Sequence, residues 1–197
     1  MSWYWLPMPH TISVSCPNCE GHSEFTFSVA QKINKKDRPY FEKSKNFKSD
    51  KVLSHSGWNY IAWHDPGLAK NIENINDLPT GYSSADFKPH PRYYTRNNAN
   101  RGVIKCHGCD YRRLHNLDWP KDAYFKIDYK NHSLWAFNRE MGILILNYLN
   151  STERKKRIIS TTGHISQHSW LRKLPTVFQT KKATPHVVKK LEKLLAL

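Results

Sequence analysis

The sequence lacks the features that would place a protein in a membrane or in an oxidising compartment. No apolar run approaches the roughly 18 residues that span a bilayer, and the longest run, residues 141–149, is interrupted by Gly142 and Asn147. The first nine residues carry no basic segment typical of a secretory signal. We therefore expect a cytoplasmic protein that does not contact a membrane.

The sequence also lacks a Gly-rich phosphate-binding loop and the context of a serine or cysteine nucleophile.

Acidic residues are scarce. Only 16 Asp and Glu stand against 31 Lys and Arg, which gives a formal net charge of +15. Residues 1–100 carry 12 basic and 9 acidic side chains, whereas residues 101–197 carry 19 and 7. A basic half of this kind attracts polyanions. Nucleic acid is the partner that we expect, and the alternatives are an anionic membrane surface, an acidic protein or a surface that only keeps the protein soluble.

Cysteine is also rare, and its four copies form two Cys-x2-Cys pairs separated by 86 residues. Four thiolates complete the tetrahedral coordination of a zinc ion and leave no open position for chemistry. We predict one structural zinc ion with four ligands: Cys16, Cys19, Cys106 and Cys109. A thioredoxin-like redox pair, which would need a βαβ context, and two disulfides, which would need an oxidising compartment, are the alternatives. We expect His107, inside the second pair, to be exposed rather than a ligand.

Apolar residues alternate on both sides of each cysteine pair, which is typical of β-strands that enter and leave a hairpin turn. Ile12 and Val14 precede the first pair, and Phe25 and Phe27 follow it. This pattern predicts a zinc ribbon built of two knuckle hairpins within residues 1–120.

The ribbon is interrupted by a long insertion at residues 30–101. We expect a lysine-rich surface loop over 30–51, a strand over 57–63 and one or two helical turns over 68–75. The remainder, residues 78–100, is rich in Pro, Gly, Ser and Asn and predicts an extended loop.

Residues 121–197 form a second predicted domain, a β-hairpin followed by basic helices, so the fold class is α+β. The alternation over 124–129 and 134–137 predicts the hairpin. Apolar residues with helical spacing predict a helix over 139–157. Thr184 and Pro185 have the sequence of an N-cap and a first helical residue, and predict the start of a terminal helix there.

A resemblance to a known family rests on the two cysteine pairs, on Leu117-Asp118-Trp119-Pro120 and on Leu134-Trp135-Ala136-Phe137-Asn138-Arg139-Glu140. With these motifs the chain resembles an uncharacterised bacterial family of zinc-ribbon proteins of the TFIIB type. The similarity covers both pairs and most of residues 102–195, while the insertion matches poorly. The resemblance implies a ribbon joined to a small hairpin and helix unit, and it implies no activity.

We predict that the protein binds DNA or RNA through its basic half without catalysing a reaction, as part of a larger nucleic-acid-processing complex. The candidate contacts are basic residues beside the second cysteine pair and towards the C-terminus: Arg112, Arg113, Arg154, Lys155, Lys156, Arg157, Lys181, Lys182, Lys189 and Lys190.

Two other hypotheses stay open. The protein could be an adaptor subunit of a bacterial defence, transposition or transcription assembly, docking through exposed aromatic residues. The candidate docking residues are Trp58, Trp63, Tyr93 and Tyr94. A metal-dependent nuclease would instead need histidines and carboxylates that converge on a metal ion. The candidates for such a site are His64, Asp65, His90, His115, Asp118, Asp122 and Asp128.

Overall fold

The described part of the chain is of mixed α+β class, with antiparallel sheets and three helices, which confirms the predicted class. The computed structural model describes residues 8–54, 57–89, 100–151, 171 and 174–196. The strands are β1 (Thr11–Ser15), β2 (His22–Phe27), β3 (Val29–Ile33), β4 (Lys48–Ser54), β5 (Gly57–His64), β6 (Lys88–Pro89), β7 (Arg101–Cys106), β8 (Arg112–Asn116), β9 (Phe125–Tyr129) and β10 (His132–Ala136). The helices are α1 (Arg38–Lys43), α2 (Arg139–Asn150) and α3 (Ala183–Leu195).

The chain divides into two compact units. One comprises residues 14–122, and the other combines residues 1–13 with residues 123–197. Two backbone hydrogen bonds join the described part of 1–13 to the second unit: the Ser13 amide donates to the Phe137 carbonyl (2.6 Å), and the Tyr124 amide donates to the Ser13 carbonyl (3.3 Å). The N-terminal segment therefore belongs in space with the C-terminal unit.

The first sheet of the 14–122 unit, here called the cysteine sheet, has the order β1-β2-β7-β8. Its central strands pair Phe25 with Ile104, and both side chains are buried. Gly102 faces this core so closely that a Cβ atom would lie 2.3 Å from the Thr26 carbonyl oxygen and 2.4 Å from the Phe25 ring. Only glycine allows the chain to enter β7 at this point.

The insertion forms a second sheet, here called the insertion sheet, with the order β4-β5-β3-β6. The predicted surface loop over 30–51 is therefore wrong, because this segment contributes β3, α1 and the start of β4. Its apolar residues, among them Ile33, Phe41 and Phe47, are widely spaced between lysines and fit neither a period of two nor a period of 3.6. They converge on Phe87, which is distant in sequence, to form a buried cluster.

The remaining predictions for the insertion are confirmed in part. The expected strand over 57–63 is β5. The expected helical turns over 68–75 reduce to one 3-10 turn at Ile72–Asn74. Within residues 78–89 the expected loop contains a 3-10 turn at Ser84–Asp86 and the short strand β6. The rest of that prediction, residues 90–99, lies outside the described residues.

In the other unit, β9 and β10 form the predicted hairpin, with Leu134 opposite Ile127. Helices α2 and α3 pack on it in one apolar cluster. Helix α2 begins after Asn138, whose side-chain oxygen accepts a hydrogen bond from the Met141 amide (2.9 Å). The predicted helix over 139–157 is not continuous, because α2 ends at Asn150 and Ser151 has an extended backbone; residues 152–157 lie outside the described residues.

The terminal helix also differs from its prediction, because α3 begins at Ala183 and not after Thr184. The amides of Ala183 and Thr184 both donate to the Thr180 carbonyl, which starts the turn earlier. The Thr184 hydroxyl donates to the Phe178 carbonyl (3.2 Å) and so does not cap the helix. None of the helices in the described ranges combines the length and the apolar character needed to cross a bilayer.

Candidate metal centre

Two loops of the same geometry bring the cysteines together. The first connects β1 to β2 and the second connects β7 to β8. In each loop the amide of the first cysteine donates to a carbonyl five residues later, from Cys16 to Gly21 and from Cys106 to Tyr111, both at 2.8 Å. The residue after each second cysteine has a left-handed backbone, with φ of 59° at Glu20 and 54° at Asp110. Because β2 pairs with β7, both loops lie at the same end of the sheet.

The four sulfur atoms form one compact group. Cys16 Sγ lies 3.6 Å from Cys109 Sγ, and Cys19 Sγ lies 3.7 Å from Cys106 Sγ. All four sulfurs lie within 4.8 Å of one another. A disulfide needs about 2.05 Å, and all four cysteines are free. Thiolates that bind one ion tetrahedrally at about 2.3 Å stand about 3.8 Å apart, so this group could hold a single metal ion.

Hydrogen-bond donors around the group favour thiolates. The Asn18 amide lies 3.4 Å from Cys16 Sγ, and the Asn18 side chain donates to Cys109 Sγ (3.5 Å). The Ser23 hydroxyl, followed by the amides of Gly108 and Cys109, lowers the pKa of Cys106 to about 6 against the opposing effect of burial. Negative charge on sulfur is thus stabilised before any cation is bound.

The same group resists carrying four negative charges by itself. Burial raises the pKa of Cys16, but the amides of Cys19 and Asn18 outweigh it and the net shift is downward. At Cys19 the Gly21 amide lowers the pKa, yet the three neighbouring thiols outweigh that amide and raise the pKa to about 12. Like charges at these distances disfavour the simultaneous ionisation of all four thiols. A divalent cation at the centre would remove this conflict, so the donor set fits a metal ion.

Comparisons with family models, with curated proteins and with solved structures find no match to this chain. The bacterial zinc-ribbon family therefore stays a resemblance carried by sequence motifs alone.

The predicted basic contacts that the structure describes are all exposed, and they are divided between the two units. Arg112 and Arg113 lie on β8, directly after the second cysteine loop, and Arg112 Nη1 donates to the Gly67 carbonyl (3.1 Å). In the other unit the exposed lysines lie before α3 and along it; they are Lys181, Lys182, Lys189 and Lys190. The remaining candidates lie outside the described residues: Arg154, Lys155, Lys156 and Arg157.

The predicted docking aromatics do not share one environment. Trp58 is 60% exposed, as expected, but Trp63 is fully buried, so its assignment to an exposed surface is wrong. The alternation of β5 directs Trp63 into a small apolar cluster with Ile61 and Val52. Tyr93 and Tyr94 lie outside the described residues.

The residues proposed for a nuclease come together only in part, because His115 contacts the candidate Asp122 whereas His64 contacts a backbone carbonyl. His64 Nδ1 lies 3.0 Å from the Asn46 carbonyl, and His115 Nε2 lies 2.7 Å from Asp122 Oδ2. Asp128 lies 3.6 Å from the Lys126 ammonium. Among the described residues, the four cysteines are the only group of three or more His, Cys, Asp or Glu placed to share one metal ion. His90 lies outside those residues.

A polar network that the sequence did not predict lies where the insertion leaves and rejoins the cysteine sheet. Asp65 Oδ1 accepts hydrogen bonds from the Ser28 hydroxyl (2.6 Å) and Arg101 Nε (3.0 Å), while Arg101 Nη2 donates to Asp65 Oδ2 (2.6 Å). Burial raises the pKa of Asp65, but Arg101 and Ser28 outweigh it and the net shift is downward. The three residues are far apart in sequence, and no motif links them.

Proposed function

We propose that the four cysteines bind one structural zinc ion and that the cysteine sheet is a zinc ribbon. The sulfur separations of 3.6 and 3.7 Å support this proposal, because they approach the edge length of a zinc–thiolate tetrahedron. Four protein ligands leave no position for water or substrate, so the ion would stabilise the fold rather than take part in catalysis.

Metal analysis of the purified protein tests the zinc assignment, since a site of four thiolates also suits iron. We expect one zinc per chain and no absorption band in the visible range. A coloured protein with stoichiometric iron, or a metal-free protein with two disulfides, would show that the assignment is wrong.

We further propose that the protein binds nucleic acid without catalysing a reaction. The observation that carries this proposal is that six basic residues are exposed: Arg112, Arg113, Lys181, Lys182, Lys189 and Lys190. Within the part of the chain that the structure describes, none of them forms an ion pair with a carboxylate. Their charge is therefore available to phosphates, in a chain whose formal net charge is +15. Membership of a larger complex stays a prediction from the sequence.

Titration of fluorescently labelled duplex DNA, duplex RNA and single strands at several salt concentrations tests this function. We expect log K to fall linearly with log salt, with a slope of about −0.9 for each duplex phosphate contacted. An affinity that does not change with salt concentration, or no binding to any of these probes at low ionic strength, would overturn the proposal.

A matched pair of variants locates the contacts. The double change Lys189→Gln and Lys190→Gln removes two unpaired charges from α3, and we expect weaker binding with a shallower salt slope. The control Lys126→Gln, in the same unit, removes a charge that Asp128 already neutralises at 3.6 Å, so we expect a much smaller effect. Equal effects of the two changes would assign the binding to net charge alone.

A further inference from the structure

The β4–β5 hairpin of the insertion carries two large apolar side chains that the fold leaves exposed. Leu53 and Trp58 lie directly opposite each other and are 64% and 60% exposed. Further along the same strands Ala62 is fully buried in the cluster around Phe41. The end of the hairpin that carries Leu53 and Trp58 therefore lies beyond the buried cluster around Phe41. These two side chains are not needed to cover that cluster.

Cations lie against the aromatic rings on the same side of the hairpin. Lys51 Nζ is 4.6 Å from the centre of the Trp58 ring, and the Arg38 guanidinium is 5.3 Å from the centre of the Tyr60 ring. Lys51 pairs with Tyr60 as Leu53 pairs with Trp58, and strand alternation places both pairs on one face. These five residues, Arg38, Lys51, Leu53, Trp58 and Tyr60, are here called the hairpin face.

The segment of chain that contributes Arg38, Lys51 and Leu53 to the hairpin face is basic. Residues 29–54 hold eight Lys and Arg against three Asp and Glu. Seven of the lysines are exposed: Lys32, Lys35, Lys36, Lys43, Lys45, Lys48 and Lys51. Two of the acids are already engaged, since Glu42 pairs with Arg38 (2.6 Å) and Asp37 accepts from the Tyr82 hydroxyl (2.9 Å). The segment therefore carries a net positive charge that attracts an anionic ligand, and Lys51 places one of these charges on the hairpin face itself.

We propose that the hairpin face binds unpaired nucleotides of a single-stranded nucleic acid, with a base stacked on Trp58 and an adjacent phosphate held by Lys51. The proposal rests on the proposed nucleic-acid function and adds the form of the ligand. A flat ring flanked by cations matches the combination of stacking and phosphate contact by which single strands are bound. A duplex keeps its bases stacked on one another and offers none to this ring.

A protein partner fits the hairpin face less well. A stable protein interface buries about 800 Å² on each side around an apolar centre that is depleted of charge. Among the described residues of this hairpin only Leu53 and Trp58 are large, apolar and exposed, and the Lys51 ammonium lies over the Trp58 ring. A surface of this size suits one base better than a protein.

The experiment compares a labelled 12-nucleotide oligo-dT and oligo-U with a 12-base-pair duplex, using wild type, Trp58→Ala, Trp58→Phe and Leu68→Ala. Leu68 is the control, because it is an exposed apolar residue elsewhere in the insertion. We expect Trp58→Ala to weaken binding of the single strands by about 5- to 150-fold, with duplex binding little changed. Trp58→Phe should recover part of the affinity, and Leu68→Ala should bind as wild type does. Circular dichroism checks that each variant is folded.

The outcomes separate this inference from the proposed function. If wild type binds both probes with a steep salt dependence and Trp58→Ala leaves single-strand binding unchanged, the stacking site is wrong and the nucleic-acid function stands. Equal losses on single strands and duplex would also overturn the stacking site, because they indicate a general loss of binding. If wild type binds no probe at low salt, both proposals fail. If Trp58→Ala abolishes binding of a copurifying protein but not of single strands, the hairpin face is a protein interface instead.

Discussion

The cysteine sheet and the insertion sheet each have four strands and lie in the same compact unit. One end of the cysteine sheet brings four sulfurs within 4.8 Å of one another, and four of the five residues of β8 are exposed. The insertion sheet is covered instead by the rings of Phe41, Phe47 and Phe87, with centres 5.1 to 6.4 Å apart. Aromatic packing can replace a metal site when a segment supplies enough large side chains.

Because different contacts lie at the two sheets, a substitution can be chosen that perturbs one sheet and not the other. Changes at the sulfurs should affect β2 and β7 first, and changes at the rings should affect β3 and β5 first. Changes at the Asp65–Arg101 ion pair should weaken the junction of the two sheets.

The largest effect is expected for Cys106→Ser, which removes one of the four proposed zinc ligands. Structural zinc in small fingers has an apparent binding free energy of about 10 to 16 kcal/mol that is coupled to folding. We expect loss of the zinc and a lower melting temperature, measured by metal content and thermal unfolding. The control His107→Ala changes an exposed residue of the same loop and should keep both the zinc and the stability. A Cys106→Ser protein that retains stoichiometric zinc would show that Cys106 is not a required ligand.

A smaller effect is expected for Phe41→Ala, which removes a fully buried ring from the cluster that Phe41 forms with Phe47 and Phe87 in the insertion. Truncating a buried phenylalanine costs about 3 to 5 kcal/mol in unfolding free energy. Denaturant unfolding should show this loss while the zinc content stays at one per chain. Phe41→Leu, which keeps most of the volume, should cost less than about 1.5 kcal/mol. Loss of zinc in Phe41→Ala would mean that the two sheets do not fold separately.

Next in size is Arg101→Met, which leaves the Asp65 carboxylate without its ion-pair partner. Breaking a fully buried pair costs about 3 to 5 kcal/mol in unfolding free energy. We expect about 2 to 3 kcal/mol here, because the side chains of Arg101 and Asp65 are still 15% and 11% exposed to solvent. The control Arg38→Met breaks an exposed pair with Glu42 and should cost about 0.5 kcal/mol or less. Denaturant unfolding of both variants measures the difference, and equal costs would contradict a structural role for the Asp65 network.

That stabilisation should also depend on pH. The pKa of Asp65 is lower in the folded protein than its ordinary value of 3.8. The contribution is therefore complete above about pH 4 and is lost as the pH falls through the folded pKa. The gap between wild type and Arg101→Met should narrow accordingly in acid.

The smallest effect is expected at His64, whose pKa is lowered by burial against the opposing Asn46 carbonyl and Asp65. Below about pH 6.5 the unfolded chain binds a proton that the folded chain resists, so stability should fall by at most about 1.4 kcal/mol per pH unit. His64→Asn should reduce this slope in unfolding measurements from pH 5 to 8. Burial also lowers the pKa of His10 and His22, so part of the slope should remain. An unchanged slope would mean that His64 does not titrate as described.

The sequence predicted the elements whose signals are local. The Cys-x2-Cys spacing indicated the four-sulfur group, and strict alternation predicted β9 and β10. The insertion sheet escaped prediction because its core joins Phe41 and Phe47 to Phe87, and lysines separate these residues into short apolar fragments. Trp63 was misplaced for a related reason, since the buried face of β5 is decided by strands that pair with it from distant positions.

Hydrogen exchange measured by mass spectrometry, before and after zinc is removed with a chelator, tests the contrast between the two sheets most directly. We predict that the amides of β2 and β7 lose their protection when the zinc is removed, while those of β3 and β5 keep theirs because aromatic packing stabilises the insertion sheet. Equal loss in both sheets, or unchanged protection in β2 and β7, would contradict this account.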